Sequence, residues 1–155
     1  MKKELLGLIL TFMLLVACDD NDDDSKKGTN TKITEVENAV VGGKWRITYF
    51  FDTDTEETDN FRNYIFEFDS SNILTATNGS NNYPGTWSVT DDDSSHDDSN
   101  NDFKDIDFNI AFTNPPDFEE LSEDWEIISL SSMTIELRHI SGGNGGTDLL
   151  TLEKI

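Results

Sequence analysis

The sequence predicts an all-β domain: an eight-stranded antiparallel up-and-down barrel with a short N-terminal helix, or, as the competing arrangement, a two-sheet β-sandwich. Three observations carry this. Apolar residues recur at every second position in eight segments between residues 44 and 155, the period of strands with one buried and one wet face. The segments follow one another through mostly short connections with turn-forming residues, which suits hairpins. The chain also holds 10 Phe, 3 Tyr and 3 Trp, ring area enough for a core despite heavy charge. Closure into a barrel would remove sticky edges. Alternation alone does not separate the two arrangements.

Three regions are read along the chain: residues 1–17, 18–32 and 33–155. The first opens with Lys2 and Lys3 and continues as an uncharged apolar run from Leu5 to Ala17. As a helix that run spans about 20 Å, too short for a hydrocarbon core of about 30 Å. It fits the apolar part of a secretory signal peptide. Leu15-Val16-Ala17-Cys18 resembles the bacterial lipobox. That resemblance implies a lipid on the thiol of Cys18, such as palmitate, with cleavage leaving Cys18 first. Two or more acyl chains hold a protein stably at a membrane. Residues 19–31, DDNDDDSKKGTNT, contain no apolar side chain, so nothing is buried to offset the entropy of ordering, and a flexible tether is expected. An acid-rich segment after the cysteine resembles the surface-export signals of Bacteroidetes lipoproteins. It implies an outer-membrane, lipid-anchored protein displayed at the cell surface; a plain solubilising spacer is the other reading.

From Lys32 the pattern becomes structural. Ile33, Val36 and Val40 recur at helical spacing, Thr34 and Glu37 have capping-box spacing, and Gly42-Gly43 ends the helix. The strands follow at 44–51, 63–68, 73–77, 85–90, 103–112, 125–130, 133–140 and 147–155. In the first, Trp45, Ile47, Tyr49 and Phe51 share a face. In the second, Tyr64, Phe66 and Phe68 do. Asn72 sits where the intervening turn needs a left-handed residue. Trp87 and Val89 lie in the fourth strand, with Pro84 at its start. Ile106, Phe108, Ile110 and Phe112 alternate with Asp105, Asp107 and Asn109 in the fifth. "TNPPDFEELSED" reads as a turn with one helical turn.

The order of motifs resembles a family. Gly43-Lys44-Trp45 matches the Gly-x-Trp that opens the first strand of lipocalins. The further sequence of Tyr64 to Phe68, Gly85 to Trp87 and a Trp-led strand from Trp125 resembles bacterial, Bacteroidetes-type, lipocalin-like lipoproteins over residues 33–155. The resemblance implies a barrel plugged at one end by the short helix. It also implies a late basic residue over the first tryptophan, for which Arg138 is the candidate through a cation–π contact. Asn72 departs from the glycine usual in its turn, and where classical lipocalins carry a helix after the eighth strand, the given sequence stops at Ile155, within or just after a strand.

Function is less constrained. Net charge is −21, which disfavours nucleic acid and charge-driven lipid binding. One cysteine forms no internal disulfide and no zinc cluster. His96 and His139 have no nucleophile motif beside them, no Gly-x-Ser-x-Gly occurs, and no enzyme is expected. Asp91, Asp93, Ser95, Asp97, Ser99 and Asp102 have EF-hand spacing. However, His96 stands where the glycine belongs, position 12 is Asp, and no helices flank it, so a solvated loop competes with a weak calcium site. No other cofactor is expected. Two functions follow. One is a membrane-anchored binder of a small hydrophobic ligand, with Trp45, Ile47, Tyr49, Tyr64, Phe66, Trp87, Phe108 and Ile110 lining the barrel. The other is a non-enzymatic structural or interaction protein of the cell envelope with a filled barrel, taking calcium on its acidic loops. A monomer is assumed.

Overall fold

The computed structural model describes residues 22–92, 102–141 and 146–155, for 22–26 the backbone alone. Helix α1 spans Asp22–Val40. Nine strands follow among the described residues: β1 Lys44–Asp52, β2 Thr55–Glu56, β3 Ile65–Phe68, β4 Ile73–Thr77, β5 Asn82–Asp91, β6 Ile106–Phe112, β7 Asp124–Leu130, β8 Thr134–Ile140 and β9 Thr147–Lys154. A 3-10 turn at Thr58–Asn60 precedes β3, and a one-turn helix, α2, at Pro116–Glu119 precedes β7. Consecutive strands from β3 to β9 pair antiparallel, and β1 pairs with both β3 and β9. The β1–β9 register runs from Trp45 opposite Lys154 to Phe51 opposite Leu149. That seam closes eight strands into an up-and-down barrel and settles barrel against sandwich. The two-residue β2 hangs on the end of β1 as a ninth, extra strand; it lies in the acidic run 52–59, which has no alternating pattern.

The turns are made by the residues the sequence puts there. Asn72 takes φ 64, and Asp69 Oδ1 accepts the amides of Ser71 (2.7 Å) and Ile73 (3.1 Å). Gly79 takes φ 84, and Asn78 Oδ1 accepts the amides of Ser80 and Asn81. These side-chain bonds replace backbone ones where the chain reverses. At Gly85 a Cβ would lie 2.7 Å from the Ala111 carbonyl oxygen and 2.8 Å from the Phe112 ring, so β5 and β6 approach closely there because the side chain is absent.

Two irregularities alter the alternation. Register shifts between Ile47 and Tyr49 in β1 and between Ile127 and Ser129 in β7, and a bulge flips every later side chain to the opposite face. Phe50 is therefore buried and Tyr49 points outward; in β7 Ser129 is exposed and Leu130 packs against the core. Smaller corrections concern boundaries. β5 begins at Asn82, so Pro84 lies inside the strand opposite Thr75 rather than at its start. Phe103 belongs to the turn before β6, where its carbonyl accepts the Ile106 amide.

Both barrel ends are covered. At the end where β1 begins, Val36 and Val40 of α1 are fully buried, and α1 rests on β5 and β6. The helix runs well into residues 18–32, which the sequence reads as tether. Lys32 pairs within the helix with Glu35 at 3.3 Å, and its Nζ lies 5.0 Å from the Phe103 ring centroid; the second contact is tertiary and is not contained in a reading of local composition. Thr34 is consequently mid-helix, and its hydroxyl bonds back to the Asn30 carbonyl (3.0 Å) rather than capping. At the opposite end, Phe61, Phe118 and Leu121 are buried.

Candidate functional site

Of the eight residues assigned to the barrel lining, Trp45, Ile47, Phe66, Trp87, Phe108 and Ile110 are buried in the core, and Tyr64 packs against it half-buried. Tyr49 does not line the barrel. It is 37% exposed and stacks outside on Phe51, because the β1 bulge gives its inward place to Phe50.

Inside, the rings meet one another. Phe68, Trp87 and Phe108 form a triangle with centroids 5.4 to 5.9 Å apart. Phe50 contacts Trp125 (6.5 Å) and Phe61 (5.4 Å). Phe118 of α2 is the hub at the far end. Its ring lies 4.9 to 6.0 Å from those of Tyr64, Phe112, Phe61, Tyr83 and Phe66. Each tryptophan also spends its indole N–H on a main-chain carbonyl: Trp45 on Val40, Trp87 on Asp69, Trp125 on Leu121, at 3.0 to 3.1 Å. Among the described residues no buried side-chain polar atom lacks a partner. Two grooves, of about 310 and 220 Å³, are built mainly from loop and helix residues. One lies between Val41–Lys44 and Glu67–Ser70, the other between Gly28–Lys32 and Asp102–Ile106. Each takes only one core side chain, Phe68 or Ile106.

The basic residue over the first tryptophan is not Arg138. Arg138 bonds Glu126 through Nε (3.0 Å) and Nη2 (2.5 Å), its register partner across β7–β8. Lys154 takes the place instead, with Nζ 5.1 Å from the Trp45 ring centroid and donating to the Ala39 carbonyl at 3.1 Å. The β1–β9 seam sets Lys154 directly opposite Trp45.

At the α2 end the inner face becomes ionisable. Glu123 lies two residues before buried Trp125, His139 two after buried Leu137, Asp148 two before buried Leu150, and Asp52 two after buried Phe50. β1, β8 and β9 thus carry their inward phase to the rim and end it on a titratable group, and Glu123 continues that phase one residue before the adjacent β7. His139 and Asp148 are direct register partners. His139 Nδ1 lies 3.1 Å from Asp148 Oδ2, and its Nε2 lies 3.5 Å from Glu123 Oε2. Asp148 is only 6% exposed. Its other oxygen, Oδ1, accepts the Thr53 amide (2.8 Å) and hydroxyl (3.3 Å). Thr53 reaches it at φ 50, an unusual conformation for a β-branched residue.

Electrostatics divide these acids. Burial pushes Asp148 up, but the hydrogen bonds from His139 and Thr53 outweigh it and hold the carboxyl below its usual value. Burial raises Glu123 against the pull of His139. Burial also raises Asp52 despite its bond with Thr53, and the charge of Asp148 adds to that. On the neighbouring rim, burial and then Glu57 push Glu120 up to about 7.

Comparison of the chain with family models, curated proteins and solved structures finds no match. The fold is a lipocalin-like barrel: eight antiparallel strands in sequential order, closed, with an N-terminal helix over one end.

The acidic loop proposed for calcium is described only at its margins. Asp91 ends β5, and Asp102 is exposed in the turn before β6. Asp93 and Asp97 lie outside the described residues, as does Cys18. Sequence reading passes over Glu123 and Asp148, yet a signal exists: each is an acid on the apolar phase of its strand. With so many acids elsewhere, that phase is the only feature that singles them out.

Proposed function

We propose that this protein is a non-enzymatic, lipid-anchored lipoprotein of the outer membrane, attached through Cys18, whose lipocalin-like barrel is filled and serves as a rigid interaction module. The observation that carries the filled barrel is the ring packing: the residues that would line a ligand cavity contact one another, and Phe118 joins five rings across the end opposite α1. A ligand-carrying pocket of the usual kind needs about 300 Å³ or more of largely apolar enclosed space. Both grooves described above lie outside that ring-lined interior. The anchor rests on the sequence alone: a basic start, an apolar run too short to span, and Leu15-Val16-Ala17-Cys18. Among the described residues no helix is long and apolar enough to cross a membrane.

Native mass spectrometry of the protein purified from its own host's membranes tests both parts. The expected mass is the chain from Cys18 plus acyl groups, with no further small molecule. A stoichiometric apolar ligand that survives purification would favour carriage inside the barrel. Cys18→Ser should move the protein from the membrane fraction to the soluble one. Retention of that variant in membranes would refute the anchor.

A further inference from the structure

We propose that Glu123, His139 and Asp148 form a binding site for one divalent transition-metal ion, zinc foremost, at the rim of the barrel. One ligand atom from each, a carboxylate oxygen or an imidazole nitrogen, can be chosen so that all three lie within 4.8 Å of one another. Zinc bonds of about 2.0–2.2 Å place neighbouring ligand atoms roughly 3.3–3.6 Å apart. Asp148 Oδ2 faces Nδ1 of His139 and Glu123 Oε2 faces Nε2; the imidazole offers an ion one nitrogen, so the ring and the more exposed Glu123 side chain must turn to bring all three onto one ion. The donor set selects the metal: imidazole favours zinc and its neighbours, whereas calcium and magnesium take oxygen alone.

The site differs from the many surface acids of this chain in three ways. His139 and Asp148 are register partners in the β8–β9 ladder, and Glu123, one residue before β7, is held by its carbonyl, which accepts the Ile110 amide at 3.1 Å. None is freely solvated: side-chain exposures are 38% for Glu123, 22% for His139 and 8% for Asp148. Asp148 is oriented by Thr53, whose amide and hydroxyl occupy Oδ1 and leave Oδ2 turned toward His139. That is the kind of outer support that fixes metal ligands elsewhere. Asp52, drawn close to Asp148 and Thr53 on the neighbouring strand, adds a further carboxylate on the same side.

The test uses the purified full chain in detergent, stripped with EDTA and titrated with zinc chloride by calorimetry at neutral pH. The expected result is one ion per chain with Kd of about 10 µM or tighter. His139→Ala and Asp148→Asn should each weaken binding at least tenfold, since loss of even an outer partner of a ligand costs about 10–100-fold, while Asp91→Asn should leave it unchanged. Because Asp148 is buried, its variant can fail to fold. Cobalt added to the wild-type chain supplies an independent reading: it should shift the His139 ring resonances selectively and be displaced by zinc. Absence of saturable binding, binding by His139→Ala equal to that of the wild type, or no effect of cobalt on His139 would each overturn the site. None of these results bears on the anchor at Cys18 or on the filled interior.

Discussion

Replacing Phe118 by alanine removes the ring that closes the α2 end. Phe118 is 2% exposed, so nearly its whole side chain leaves water on folding. An aromatic side chain buries about 150–250 Å², worth roughly 4–6 kcal/mol at about 25 cal/mol per Å². That is an upper bound, since the unfolded chain already hides some apolar area. Measured Phe→Ala changes in cores run about 3–5 kcal/mol and depend on how far the site collapses. Phe118 sits on the four-residue α2, a short element able to shift inward, which points to the lower half, about 3 kcal/mol. Small domains have only about 5–15 kcal/mol in total. Urea unfolding followed by tryptophan fluorescence should therefore give a clearly lower midpoint. The vacated volume adjoins five rings, so the variant should also bind a small apolar probe that the wild type ignores. A loss below about 1 kcal/mol with no gain in probe binding would refute the role given to this ring.

Other outcomes follow from the same geometry. Asp107 is half-buried, and burial first, then Asp92, Asp124 and Glu126, push its carboxyl up to about 6 from 3.8. The folded state thus keeps a proton that the unfolded chain releases, and stability falls as pH rises through about 4 to 6. The full shift corresponds to roughly 3 kcal/mol, which solvent screening at a half-exposed site cuts to about 1. Asp107→Asn should therefore stabilise by about 1 kcal/mol at pH 7 and be neutral near pH 3.5, as read by thermal unfolding at both values. Gly85→Ala meets the Ala111 carbonyl and the Phe112 ring and should cost about 1–3 kcal/mol by denaturant unfolding; an unchanged midpoint would show that β5 and β6 have room to part. Lys154→Met keeps the apolar stem but loses the charge over Trp45 and the bond to Ala39. It should cost about 1 kcal/mol, whereas Arg138→Met, removing an exposed pair with Glu126, should cost half that or less.

The barrel was legible in the sequence because period-two burial is a local signal. β6, with Ile106, Phe108, Ile110 and Phe112 all buried, follows its alternation without a break. The failures have non-local causes. The bulge after Ile47 that exchanges Tyr49 for Phe50 is set by pairing with β9, about a hundred residues away. α1 rests on β5 and β6 and meets the Phe103 ring through Lys32, contacts that come from distant sequence. The choice of Lys154 over Arg138 depends on the seam that closes the barrel. The rim cluster lay between these cases. Its three members each sit on a readable apolar phase, but only strand order brings Glu123, His139 and Asp148 together.

The central claim is that the barrel's interior is occupied by its own aromatic side chains. Xenon enters apolar cavities and leaves well-packed cores alone. Crystals of the protein pressurised with xenon therefore give the most direct test. The account predicts no xenon within the space bounded by Trp45, Phe66, Trp87, Phe108 and Trp125 in the wild type, and a bound atom beside Phe61 and Phe112 in Phe118→Ala. Xenon, or electron density for a retained apolar molecule, at the centre of the wild-type barrel would contradict it.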